Sequence, residues 1–398
     1  MILHGLSVID ARTGFPIRNP EEAERFVEQY GFTLENPIEQ SEVFGYFREA
    51  ISFIQRHFLA PENPDGLKLQ FPKRILEVKN VRDLLLYASM HFPGQSHDAP
   101  GLYLRDWACS VLKVMHTIAH LDQDPRASYF SDIQKQILDR FYRYIHRDES
   151  GGLYLGERPE DPYRVNLVAF ESKPKKSRDS TLIKLLHKKE NVAEELFDRV
   201  GVRFVTEDVL GALMVVRYLK AQMIVMTSNM KPSRSRNTLV DLEEFKKGCA
   251  EAHRALNAKE IEWEEFVKRM RSSAHPPPMD SSNPHSSEFY RSIQFTGRQL
   301  IKLQSPLYQD LRELKQLAKQ ESFPEGVQKI LDRLDMKFVQ REIRFFYPFE
   351  VQIVDQVSHE ENEKGRSAHS EYKRAQLMTA MKRVMGNLVD VQTTTTFL

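Results

Sequence analysis

The chain has 398 residues, 41% of them hydrophobic and 10% aromatic, enough apolar surface for more than one core, so two domains are expected. Its 57 basic and 56 acidic residues nearly cancel, which excludes a global field that would gather nucleic acid or an anionic membrane; any anion site must be local. Two distant cysteines, Cys109 and Cys249, carry neither a disulfide framework nor a zinc spacing, and suit a reducing compartment. No run of about 18 apolar residues occurs, and the first residues lack the basic start and apolar stretch of an export signal. The expectation is a cytoplasmic protein that does not enter a membrane.

From about 20 to 148 the pattern is helical. Pro20-Glu21-Glu22-Ala23-Glu24 reads as a helix start, and apolar residues recur at three- and four-residue spacing over 43–58, 81–90, 102–121 and 129–145. In the last of these, Phe130, Ile133, Ile137, Leu138 and Phe141 form one stripe. The turn cluster 148–152 and the proline-containing run 156–163 place a boundary near 150–162. After it, 164–170 alternates as a strand, 181–189 reads as a helix, and 201–206 as a β-branched strand leading into a helix that runs to 219. The stretch 229–287 turns polar, with a helical part over 242–270 and a Ser/Pro-rich end that reads as a flexible loop. Strands are expected at 289–295 and 343–354, around a charged helical stretch at 307–334, and 368–388 reads as a closing helix before a frayed threonine tail. The fold class is therefore α+β: a helical domain over 1–155, then a mixed sheet flanked by helices over 162–390, with an insertion at about 229–287.

Several polar residues of the second half have the chemistry that phosphoryl transfer uses, namely cations for phosphates, carboxylates for a metal and an aromatic plane for a base. Lys176 and Lys184 bracket Ser180 at a helix start, where free N–H groups and ammonium groups can converge on phosphate. Solvated surfaces carry basic runs of this kind too. Asp198 stands at the entrance of the strand 201–206, which carries Arg203, and Gly201 there permits close approach. Glu350 shares a strand face with Gln352 inside an apolar run; a carboxylate so placed either faces water or engages a cation. Tyr290 has a ring able to stack on a base or to pack in a core.

In order and local spacing these segments resemble the synthetase domain of the RelA/SpoT family of (p)ppGpp synthetases. Lys176-Ser177-Arg178-Asp179-Ser180-Thr181-Leu182-Ile183-Lys184-Leu185 is similar to the family's K-S-P-E-S-I-x-x-K-L, and Asp198-Arg199-Val200-Gly201-Val202-Arg203 to its D-I-x-G-I-R. Phe289-Tyr290-Arg291-Ser292-Ile293-Gln294 is similar to G-Y-x-S-x-H, Glu350-Val351-Gln352-Ile353-Val354-Asp355 to E-I-Q-I-R-T, and Ala368-His369-Ser370-Glu371-Tyr372-Lys373 to E-H-x-x-x-Y-K. The resemblance spans about 165–373. It implies a nucleotidyltransferase-like sheet and transfer of the β,γ-pyrophosphate of ATP to the 3′-hydroxyl of GDP or GTP. Lys176, Lys184 and Arg203 would hold ATP phosphates, with Ser180 and Gln352 beside them. Asp198 and Glu350 would bind Mg2+, Glu350 would activate the hydroxyl, and Tyr290 would stack the guanine.

Three positions depart from the family's pattern. Gln294 replaces its histidine, Val354 its arginine after E-x-Q-I, and Pro174 the arginine before its first lysine, although Lys173 and Lys175 flank that proline. These losses weaken anion binding more than metal chemistry. Two alternatives follow: pyrophosphate transfer to the 3′ end of tRNA, and a catalytically silent nucleotide sensor or scaffold. In the helical half, His116 and His120 share a helix face at metal-binding spacing, but the further histidine and aspartate pieces of a hydrolase site are missing. That half is expected to regulate or to mediate homo-oligomers.

Overall fold

The computed structural model describes residues 8–10, 16–60, 62–173, 177–188, 200–277, 290–320, 323–336, 339–364 and 369–390. These residues form a mixed α+β structure with two sheets and two apolar cores. None of the described helices is long and apolar enough to cross a membrane.

Helices α1 (Pro20–Tyr30), α2 (Pro37–Phe58), α3 (Lys73–Leu76), α4 (Val81–Ala88), α5 (Ala99–Asp122) and α6 (Phe130–Tyr142) come first. Their starts follow from local chemistry. The side chains of Asn19, Asn36, Asn80 and Asp98 each accept from an otherwise unpaired N–H of the first turn, and Pro20 and Pro37 occupy positions where no N–H is needed. Gly31 ends α1 at φ 109°, a left-handed conformation that glycine adopts without strain.

The strands β1 (Ile145–Arg147), β2 (Leu153–Leu155) and β3 (Val165–Leu167) form a small antiparallel sheet. After a bend at Val168, β4 (Ala169–Ser172) enters the larger sheet. The single strand expected over 164–170 is thus two strands in two sheets. Then come α7 (Arg178–His187), β5 (Gly201–Thr206), α8 (Val209–Ala221), β6 (Arg236–Asn237), α9 (Leu242–Asn257) and α10 (Trp263–Ser273). The chain closes with β7 (Ile293–Gln304), α11 (Pro306–Gln320), α12 (Glu325–Arg333), β8 (Glu342–Asp355), α13 (Gln356–Lys364) and α14 (His369–Met385). The helix expected over 242–270 is two, α9 and α10, and Pro324 similarly precedes the start of α12 after α11. The loop expected at the end of the insertion lies partly, and the threonine tail wholly, outside the described residues.

The larger sheet has the order β4-β5-β8-β7-β6, with β8 parallel to β5 and antiparallel to β7. One face is apolar: Val202, Phe204, Phe295, Val351 and Ile353 pack with α6 and α8. Alternation then sends the other residues of the same strands to the opposite face, which is polar.

The cores do not follow chain order. The helical core takes Leu182, Leu185 and Leu186 from α7 and Ala380, Met381 and Val384 from α14. In return, Phe130, Ile133, Ile137 and Phe141 of α6 pack in the core of the sheet.

Candidate functional site

The polar face of the five-stranded sheet is built by register. Arg203 pairs across strands with Gln352, and Gln352 with Gln294, giving one row; Gly201, Glu350 and Thr296 form the next. Glu171 extends the first row onto β4. Because cross-strand partners share a face, side chains far apart in sequence are forced to meet.

Glu350 is 6% exposed and Gln352 1%. A carboxylate so deep needs a cation and hydrogen-bond donors. Lys173, the residue after β4, supplies the cation: its Nζ donates to Glu350 Oε2 at 2.9 Å. Its backbone N–H donates to Gly201 O at 2.8 Å, which fixes where the side chain leaves the sheet edge. The lysine stem then passes over Gly201, where an added Cβ would stand 2.8 Å from Lys173 Cδ. The amide of Gln294 donates to Glu350 Oε1.

The neighbouring row is equally connected. Gln352 Oε1 accepts from Arg203 Nε at 3.0 Å, and Gln352 Nε2 donates to the Tyr290 hydroxyl. Arg203 also donates to Glu363 of α13 at 2.7 Å and to Glu171 at 3.3 Å. Burial raises the Tyr290 phenol above its usual value, helped by the nearby charge of Glu350 and opposed by Arg203, so at neutral pH it stays a phenol. Asn362 fastens α13 to the rim: its Oδ1 accepts from Arg291 N–H at 3.3 Å and its Nδ2 donates to Arg291 O at 2.9 Å.

The structure therefore joins Arg203, Glu350, Gln352 and Tyr290 in one network. Ser180 and Lys184 sit instead on α7, which packs in the helical core against α5 and α14. The start of that helix is pinned there. Arg178 donates to both carboxylate oxygens of Glu49 and of Asp122, at 2.5 to 3.0 Å, and Asp179 accepts from Arg56 at 3.3 Å and meets His57 at 2.8 Å. Asp198 and Lys176 lie outside the described residues. Sequence patterns assign no role to Lys173 or Gln294, although Lys173 has the same strand parity as Glu171, which faces Arg203.

The described donors do not suit a divalent cation at Glu350, since an ammonium and an amide already hold its two oxygens. In the helical half, His116 and His120 do lie together, with ring centroids 4.5 Å apart, but they serve packing against Tyr30. The Tyr30 hydroxyl meets His116 Nδ1, and burial, with a smaller contribution from His120, pulls His116 down to about 4.

A scan of the chain against protein-family models finds no match, and a search of curated proteins finds none either.

Proposed function

We propose that the polar sheet face is a nucleotide site of the RelA/SpoT synthetase kind, on a nucleotidyltransferase-like sheet, and that its activity is pyrophosphate transfer from ATP to the 3′-hydroxyl of GDP or GTP. The observation that carries this reading is the row Arg203–Gln352–Tyr290 set directly beside Glu350 on one face of the sheet. An arginine, a buried carboxylate and an aromatic phenol together on one face offer the groups that a phosphate, a hydroxyl and a base call for. Phosphoryl transfer asks little more of a protein than positioning and charge stabilisation.

In the reaction, the acceptor 3′-oxygen forms a bond to the β-phosphorus of ATP. The bond from that phosphorus to the α,β-bridging oxygen breaks, and AMP leaves. The hydroxyl proton passes to Glu350, whose hydrogen bond from Gln294 opens to receive it while Lys173 stays paired with the other oxygen. Arg203, now paired with Glu363 and with the half-exposed Glu171, exchanges those rim carboxylates for phosphate oxygens. Gln352 aims both Arg203 and Tyr290, and the ring of Tyr290 is the platform for the guanine. Lys176 is the further cation that the resemblance supplies; Lys184, carried on α7, is assigned no step here. Mg2+ belongs to this chemistry in the family; no step here is assigned to it.

Incubation with γ-labelled ATP and, in parallel, GDP, GTP or deacylated tRNA tests the reading. Label on a guanine nucleotide, reduced at least about a hundredfold in Glu350→Gln, is the expected result, given what a positioned proton acceptor contributes. Label on tRNA would move the acceptor to RNA. The pairing of Glu350 with Lys173 favours one other reading, a silent nucleotide-binding module; binding of ATP or GDP with no transfer to any acceptor would establish it.

A further inference from the structure

We infer that Lys173 is the resident counter-cation of Glu350, so that Glu350 is a lysine-paired carboxylate and not a ligand for a divalent cation. Three observations converge on this. The carboxylate is buried in the middle of the sheet at 6% exposure, where an ionised group is stable only beside an opposite charge. The charge comes from the chain itself, at 2.9 Å, the length of a charge-assisted hydrogen bond. Its route is also built in: Lys173 is tied by its backbone to Gly201, and the glycine leaves the space through which the stem crosses from the β4 edge, over β5, to β8.

The second carboxylate oxygen is also taken. Gln294 holds it from β7, on the opposite side from Lys173. A divalent ion binding Glu350 would have to displace a hydrogen-bonded ammonium or sit beside it, and two cations sharing one desolvated carboxylate repel strongly. The glycine at 201 therefore has a use unrelated to backbone conformation: an added Cβ would stand 2.8 Å from Lys173 Cδ, so the lysine stem would have to shift from its present route. Gln294 and Lys173 together make the pattern around Glu350 one of fixed protein donors.

The inference deepens the nucleotide-site reading and rests on it for its functional meaning, but it is tested without nucleotide, so either can fail while the other stands. The experiment is Mn2+ titration of the full chain, with free Mn2+ followed by electron paramagnetic resonance. Wild type and Glu350→Gln should bind Mn2+ equally weakly. Lys173→Met should gain at least tenfold in affinity, the gain should vanish in Lys173→Met/Glu350→Gln, and Lys173→Arg, which keeps the charge, should show none. Mn2+ should also raise the thermal midpoint of Lys173→Met and leave that of wild type unchanged, which a merely structural lysine would not produce. Tighter Mn2+ binding by wild type than by Glu350→Gln would overturn the inference, and so would a folded Lys173→Met without the gain. Should Lys173→Met not fold, Lys173→Gln, which removes the charge but keeps a polar end beside Glu350, takes its place; it should gain Mn2+ affinity in the same direction, and no gain would overturn the inference.

Discussion

At the scale of single residues, chemistry is set by what each buried polar group meets. Gln352 is the clearest case, since its two amide ends hold a guanidinium and a phenol at once. Replacing it by Leu leaves both partners without their shared bridge. Nucleotide binding is then expected to weaken by about 1–3 kcal/mol, the cost of orphaning buried polar groups, measurable by calorimetric titration of Gln352→Leu with GDP. His116 gives a second residue-scale prediction. Its folded value near 4 lies below the ordinary 6.5, so between those values the unfolded chain binds more protons than the folded one. Stability is therefore complete above about pH 6.5 and falls as the pH drops towards 4, by on the order of 3 kcal/mol at most, since each tenfold difference in proton affinity is worth about 1.4 kcal/mol. Tyr30, which meets the ring, stays a phenol throughout, because burial holds it at about 12. Denaturant melts across this range should show a shallower acid slope in His116→Phe than in wild type.

At the scale of elements, α7 is held by charge as well as by its leucines. Arg178 reaches Glu49 of α2 and Asp122 of α5 together, a fork-to-fork geometry that suits guanidinium. The group is 41% exposed on its side chain, so solvent screening limits what the pairs contribute. Arg178→Met is expected to cost about 1–2 kcal/mol, with amide exchange rising first in the opening turn of α7. The sequence located this helix to within a turn, as 181–189 with Ser180 at its start; the cap is Ser177, three residues earlier, and α7 runs over Arg178–His187. It did not locate the length of β7. Residues 296–304 mix Gly297, Arg298, Gln299 and Lys302 with apolar residues, and only the long ribbon with β8 makes them a strand. Similarly, 164–167 alternates and then gives way to the apolar run 167–170; that break coincides with the bend at Val168, but by itself it does not show that the two halves enter different sheets.

At the scale of the whole molecule, the candidate site exists because of topology. Lys173 and Glu350 are 177 residues apart, and the parallel pairing of β5 with β8 aligns the edge of β4 with the middle of β8. Motif order in the sequence pointed to Arg203, Glu350, Gln352 and Tyr290, since each lies in a short segment with its own pattern. The Lys173 and Gln294 contacts were not legible, because pairing between strands of distant sequence leaves no local signal. The exchange of helices between cores was equally hidden. It carries a prediction: a fragment ending near residue 150 lacks Leu182, Leu186, Met381 and Val384 of its own core and leaves α6 without the sheet. That fragment should show no cooperative thermal transition by calorimetry, whereas the full chain should. A sharp transition in the fragment would mean that α7 and α14 are dispensable to the helical core.

The nucleotide site proposed for the polar face of the five-stranded sheet is open to chemical mapping. Photolabelling of the full chain with 8-azido-GTP, followed by peptide mapping, tests it most directly. Label on the peptide carrying Tyr290, competed by unlabelled GTP and reduced in Gln352→Leu, is the predicted result. Label confined to peptides of the helical core, or label that GTP does not compete, would contradict it.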